Sequence, residues 1–152
     1  DLTINDYVSE IVKSFQEISK KFFIINCDQN NNSINITKSI EIVYGLRNFI
    51  GNANKFSKNK VIINIKSDSN FTEVIIEDDG EGYPKDVLSK IGEPYVKSFK
   101  SSTKSKSGLG LGIFIGKTLL EKNYADVVCK NSKTQSGAEV IIKWKNKDLL
   151  RL

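Results

Sequence analysis

The sequence predicts an α+β fold, a two-layer α/β sandwich whose mixed sheet is covered on one face by about three helices. Three observations lead there. Segments of helical and strand periodicity intermix along the chain without a regular strand–helix–strand repeat. The last two strand-like segments flank Ser136-Gly137, a turn that would fold them into a hairpin. And 152 residues suffice for one compact domain with a real core, but not comfortably for two.

From Asp6 to Lys20 the apolar positions Tyr7, Val8, Ile11, Val12, Phe15 and Ile18 recur at helical spacing, with Asn5 placed to cap them. Phe22 to Cys27 is a short apolar strand. An Asn-rich turn (Asn30 to Asn32) leads to an expected strand around Ser33 to Ile36. Thr37 is placed to cap a second helix, Lys38 to about Ser57, with Ile40, Val43, Tyr44, Phe49 and Ile50 on or near its buried side. Val61 to Lys66 and Phe71 to Glu77 alternate as strands, and Asp78 to Pro84 is a Gly-rich turn. Pro84 suits the first position of a short helix, Lys85 to Ile91. Gly92 to Ser107, rich in Ser and Lys and without periodicity, reads as a long loop of the kind that carries function or disorder. A third helix spans about Gly108 to Lys122, and Asp126 to Asn131 and Ala138 to Lys145 close the fold.

Composition excludes several classes of function. The balance of 39% hydrophobic and 27% charged residues is that of an ordinary globular domain. No apolar run approaches the roughly 20 residues needed to cross a bilayer, and no charged-then-apolar leader opens the chain. It begins at Asp1 and contains no Met, so we expect an excised fragment. Cys27 and Cys129 sit in short apolar segments and are expected to be buried thiols in a reducing compartment. The net charge of +5 is spread over Lys-rich surface without interleaved aromatics, which argues against nucleic-acid binding. The absence of histidine rules out a Ser-His-Asp triad and His-ligated metals within this chain, and removes the usual general base.

Three constellations carry chemistry. Asn48, Asn52 and Lys55 fall at i, i+4 and i+7, one stripe of a helix. An amide oxygen is a hard, neutral ligand suited to Mg²⁺, and Lys55 can neutralise a phosphate oxygen beside it; a solvated helix face would show the same residues. Asp78-Asp79-Gly80-Glu81-Gly82 follows a strand directly. A carboxylate there, followed by alternating glycines, suits close approach to a ligand, and Asp78 can accept from an exocyclic amine such as that of adenine. Guanine presents an acceptor at that place. An acidic β-turn is the plain alternative. Third, Gly108-Leu109-Gly110-Leu111-Gly112 leads into a helix, where backbone amides make an anion site for phosphates. A dinucleotide fingerprint on Gly110, Gly112 and Gly116 fails for want of a preceding strand, and a P-loop ending in Gly116-Lys117-Thr118 fails because Leu111 stands where its first glycine belongs.

In this order and spacing, the three motifs resemble the histidine kinase branch of the superfamily shared with DNA gyrase, Hsp90 and MutL. Asn48 to Ser57 looks like that family's asparagine box, Asp78 to Gly82 like its DxGxG box, and Glu93-Pro94-Tyr95 like its short aromatic box. Gly108 to Gly112 resembles its second glycine box, and Ser136-Gly137-Ala138 its final small-residue turn. The resemblance covers about residues 38 to 145, and the boxes at Gly92–Val96 and Gly108–Ile115 look most like the RegB/PrrB redox-responsive sensor kinases.

The resemblance implies a Bergerat-type ATP-binding core over 38–152 with residues 1–37 leading into it, one domain overall. It implies ATP and Mg²⁺ as cofactors, with Asn52 ligating the metal, Asn48 supporting it and Lys55 on phosphate. Asp78 would read the adenine amine, and Gly80 and Gly82 would let the backbone approach the purine. Phe56 or Tyr95 would pack near the base, and Gly108, Leu109, Gly110, Leu111 and Gly112 would cradle the phosphates. Asp79 stands where the family often has Asn, and Ala138 where Thr is frequent. The hydrolytic members carry a glutamate four residues before the metal-binding Asn; here that position is Asn48, an amide that cannot act as a general base.

Read this way, the chain is a protein histidine kinase's catalytic part. It would donate the γ-phosphate of ATP to a histidine on a separate dimerisation domain, and the aspartate of a response regulator would receive it next. Gly92 to Ser107, with Lys97, Lys100, Lys104 and Lys106, would be an ATP lid. Dimerisation belongs to the helical domain in this family, so the chain itself is expected to be a monomer, a cytoplasmic part of a membrane-anchored sensor. An anti-sigma-factor serine kinase and a degenerate nucleotide-sensing module stand as alternatives.

Overall fold

The computed structural model describes residues 2–28, 34–37, 39–91 and 109–152, and its first helix, α1, runs Ile4–Gln16. The cap is Thr3, not Asn5. The Thr3 hydroxyl accepts from the Asp6 amide at 3.2 Å while the Asp6 carboxylate accepts from the Thr3 amide at 2.9 Å, a reciprocal pairing that satisfies two otherwise orphaned donors. The helix ends at Gln16 rather than Lys20, leaving Ile18 exposed and freeing Ser19 and Lys21 to bond the last turn of the next helix.

Strand β1 (Phe22–Cys27) follows. The strand expected to end at Ile36 is a single antiparallel bridge between Ile36 and Leu2; Asn30 to Ser33 lie outside the described residues, as does Lys38. Helix α2 (Ile40–Phe56) is capped by Ser39, not Thr37, through the Ser39 hydroxyl and the Ile42 amide. Its buried stripe is Ile42, Gly45, Leu46, Phe49, Ile50 and Ala53, so Ile40 and Tyr44, expected inside, are 65% and 55% exposed. Each lies two residues, about 200°, from Ile42 around the helix, which turns it to solvent.

Strands β2 (Lys60–Ser67), β3 (Phe71–Asp78), β4 (Asp126–Asn131) and β5 (Ala138–Lys145) complete a sheet of order β1-β2-β3-β5-β4. Only the β1–β2 pair is parallel, and α2 supplies the crossover such a pair requires. The sheet is therefore mixed, as expected. Short helix α3 (Lys85–Lys90) begins after Pro84, which sits at the cap rather than the first helical position. Helix α4 (Leu109–Lys122) packs along α2, and a final turn, α5 (Asn146–Leu149), was not foreseen. It is fixed by distant partners: Asn146 accepts from the Thr72 hydroxyl at 2.7 Å and donates to the Asp68 carbonyl at 2.8 Å.

The core lies between sheet and helices. Val61, Ile63 and Ile65 on β2, Val74 and Ile76 on β3, and Val140, Ile142 and Trp144 on β5 alternate inward, in register as Ile63–Ile76–Val140 and Ile65–Val74–Ile142. They meet Leu46, Phe49 and Ile50 of α2 and the buried face of α1 in one cluster. The cysteines depart from expectation. Cys27 is exposed because it closes β1, which pairs only with β2, and Cys129 is half-buried.

Candidate functional site

A cavity of about 230 Å³ opens where the end of β3, the start of β5 and the second half of α2 converge. Phe49, Ala53, Phe56, Ile76 and Val140 form its apolar lining. Asn52, Lys58, Asp78, Glu81 and Tyr83 set polar groups around the rest. An apolar slot with a few convergent polar groups is the architecture of a small-ligand site.

Asp78, the last residue of β3, is the pivot. It is 5% exposed, and its Oδ1 accepts from the Gly80 amide at 2.9 Å and the Ala138 amide at 3.3 Å. Oδ2 takes no hydrogen bond from the described residues. Burial raises the Asp78 pKa; the two amides oppose the rise and the neighbouring Asp79 charge adds to it. The flanking glycines allow this packing. A Cβ on Gly80 would lie 2.1 Å from the Phe56 carbonyl oxygen, and one on Gly137 would lie 2.1 Å from Asp78 Oδ1.

Asp79 points the other way. Its carboxylate accepts from the amides of Lys58, Asn59 and Lys60, at 2.8, 3.0 and 3.2 Å, and so pins the turn between α2 and β2. Desolvation alone would raise its pKa, but these amides outweigh it and the net shift is downward. The second acidic residue of the motif is thus a backbone clamp.

Among the other residues singled out in the sequence, Asn52, Phe56 and Gly82 join Asp78 on the cavity. Gly80 is not among its lining residues and packs against the Phe56 carbonyl. The Asn52 Nδ2 is buried without a hydrogen-bond partner among the described residues, and a Cβ on Gly112 would come within 3.1 Å of it. Gly110, Leu111 and Gly112 lie in the first turns of α4, with Leu111 42% exposed. Asn48 and Lys55 are not among the described residues lining the cavity: Asn48 donates to the Tyr44 carbonyl of its own helix at 2.8 Å, and the Lys55 ammonium sits 5.3 Å from the centre of the Phe56 ring. Tyr95, Gly108 and the Gly92–Ser107 segment lie outside the described residues.

Among the polar lining residues, sequence reasoning assigned no role to Lys58, Glu81 or Tyr83. Lys58 follows the Asn48–Ser57 stretch directly and Glu81 lies within the Asp78–Gly82 motif, so position was a usable signal. Tyr83 follows Gly82 and is 7% exposed. Its phenol pKa is pushed well up, first by burial and then by the charges of Cys129 and Asp78. The Cys129 thiol beside it is itself pushed up to about 11 by burial, against the bond it receives from the Tyr83 hydroxyl.

Residues 37–148 match the family described as histidine kinase-, DNA gyrase B-, and HSP90-like ATPase. The chain belongs to that ATPase family. Among curated relatives, it is 36% identical over 102 residues to the sensor histidine kinase RegB of Cereibacter sphaeroides, covering 64% of this chain and 22% of that protein. It is 29% identical over 133 residues to a sensor histidine kinase described as NtrY-like from Rickettsia typhi, covering 83% of this chain and 21% of that one. The chain therefore spans about a fifth of the length of the curated relatives it matches. Its fold is that of the nucleotide-free catalytic domain of histidine kinase ThkA, with TM-score 0.74, 18% identity, and coverage of 95% and 94% of the two chains. The α+β sandwich of this ATPase family is thus the fold observed. Among the described residues no helix is long and apolar enough to cross a membrane.

Proposed function

We propose that this chain is the catalytic part of a two-component sensor histidine kinase, binding Mg·ATP in the cavity beside Asp78 and offering its γ-phosphate to a histidine on a separate dimerisation domain. The observation that carries the proposal is the buried Asp78 carboxylate, with Oδ1 fixed by two backbone amides and Oδ2 left open beside an apolar slot. In this reading that oxygen accepts from the exocyclic amine of adenine, and the apolar lining of Phe49, Phe56 and Ile76 suits the ring. The chain's membership in the ATPase family and its likeness to sensor histidine kinases support the same reading.

Asn52 fits Mg²⁺. Its side chain lines the cavity, its Nδ2 has no partner among the described residues and can donate to a phosphate oxygen, and its neutral amide oxygen is a ligand that Mg²⁺ accepts alongside water and phosphate. When bound, the ion neutralises charge on the phosphates. The protein's share is positioning, which dominates phosphoryl transfer. Asn48 bears on the choice between transfer and hydrolysis: an amide hydrogen-bonded to its own helix cannot activate water, so ATP waits for its acceptor. The acceptor histidine lies outside this chain, which has none, and the aspartate of a response regulator is the next acceptor.

Calorimetric titration with ATP and GTP, with and without Mg²⁺, tests this. ATP should bind selectively. Asp78→Asn should weaken it roughly tenfold to 150-fold, the worth of one charge-assisted hydrogen bond. Asn52→Ala should abolish the Mg²⁺ dependence. Equal binding of GTP, or an Asp78→Asn protein that binds ATP normally, rules out the assigned role of Asp78. Transfer of phosphate from ATP to an added histidine-bearing acceptor domain tests the kinase step.

A further inference from the structure

The segment Glu81–Tyr83 forms one wall of the cavity, yet it belongs to no strand or helix. Its backbone must be held by something else. Across 48 residues of sequence, the Asn131 side chain accepts from the Tyr83 amide at 2.7 Å and donates to the Tyr83 carbonyl at 3.3 Å. One side-chain amide thus engages both backbone groups of one residue, as a neighbouring strand would. Gly82 rests against the same amide with φ of +82°, and a Cβ there would lie 2.6 Å from Asn131 Oδ1. A side chain at position 82 would be strained twice over, by the left-handed backbone and by the collision.

Cys129, two residues before Asn131 and so on the same face of β4, lies close enough to the Tyr83 hydroxyl for each to shift the other's titration. Asn131 itself is exposed and has low strand propensity, so neither core packing nor sheet preference accounts for it at the end of β4. Both of its amide groups serve Tyr83.

We infer that Asn131 is a positioning residue for the nucleotide site: it clamps Gly82 and Tyr83 so that the wall facing Asp78 is formed before ligand arrives. The inference rests on the Mg·ATP reading above. A preformed wall spares the ligand the cost of ordering it, so the clamp acts on affinity.

The test compares the unmodified chain with Asn131→Ala and Asn131→Asp, measuring affinity for Mg·ATP and for adenosine by calorimetry, amide exchange at Tyr83, and the melting temperature. Asn131→Ala should bind both ligands roughly 5- to 30-fold more weakly, the worth of two neutral hydrogen bonds, and should lose protection at the Tyr83 amide. Asn131→Asp keeps the acceptor for that amide and loses the donor, so it should recover part of the affinity and the protection. Unchanged affinity in Asn131→Ala, whether or not the melting temperature falls, overturns the clamp and leaves the nucleotide site standing. Failure of the unmodified chain to bind Mg·ATP overturns the nucleotide reading and removes the clamp's purpose with it, a result distinct from the first.

Discussion

Asp78 commits one carboxylate oxygen to the fold, and in the proposed site the other serves the ligand. Holding that charge in a buried place costs stability, and the raised pKa expresses the cost. Because the folded-state value lies above the unfolded one, the native state binds the extra proton first. The penalty is therefore fully present above the raised pKa and is relieved as pH falls through it, toward the ordinary aspartate value of about 3.9. Ligand binding has the opposite sense, since an ionised carboxylate accepts from an amine more strongly than a protonated one. Asp78→Asn keeps an Oδ1 for the Gly80 and Ala138 amides while removing the charge. We expect its nucleotide-free form to melt higher at neutral pH, where the unmodified chain carries the buried charge. The stability difference between the two proteins should shrink on acidification, and the ATP affinity of the unmodified chain should begin to fall above pH 4. Thermal melts and titrations across pH 4–7 check both, and a lower melting temperature for Asp78→Asn would show the buried charge to be stabilising. Asp79 contributes in the reverse direction: its lowered pKa means that its support is present at neutral pH and lost as pH falls through the depressed value.

Helices α2 and α4 meet along glycines, and each glycine does something different. A Cβ on Gly116 would lie 2.8 Å from the ring of Phe49, which is 1% exposed and cannot yield; one on Gly45 would lie 2.6 Å from Leu120. Gly116 thus sets how closely α4 approaches α2, a packing role that its place beside Lys117-Thr118 does not announce. Gly112, one turn earlier, faces the Asn52 amide instead. Gly116→Ala should lower stability by about 1–2 kcal/mol, overpacking offset in part by alanine's helix preference, read from a denaturant midpoint. Gly112→Ala should leave stability level or slightly higher and weaken Mg·ATP binding about 3- to 10-fold through the displaced amide. If both variants lose stability alike, Gly112 is a packing residue too. At this scale the sequence was legible where period was strong: β2, β3, β4, β5 and α4 lie within about a residue or two of expectation. It misled at helix starts, because Thr3, Asn5, Thr37 and Ser39 are all competent caps and only tertiary geometry decides which hydroxyl reaches an amide.

The whole molecule shows why the chemical motifs were easier to read than the site. Asn52, Asp78 and the glycines are marked by residue type and local spacing. Tyr83 and Asn131 are joined only by the strand order that lays β4 beside β5 and the β3 end, and nothing local records a contact across 48 residues. The same holds for α1, whose residues resemble no motif yet complete the core. Ile4, Tyr7, Val8, Ile11 and Val12 of α1 are 3% exposed or less and sit in one cluster with α2 and the sheet, while Lys21 bonds the Asn54 and Ser57 carbonyls at the end of α2. Residues 37–148, the part that matches the ATPase family, leave α1 and β1 out. Burial of five such side chains is worth about 10 kcal/mol, the order of a domain's entire net stability. A chain trimmed to 38–152 would also strip β2 of its parallel neighbour and expose its edge, a ready template for aggregation. We therefore expect the trimmed chain to lose cooperative unfolding and bind Mg·ATP poorly, whereas one trimmed only at Asp1 should behave as the intact protein. Circular dichroism melts of the two decide the matter: a sharp transition in the 38–152 chain would mean that α1 packs on a core already complete without it.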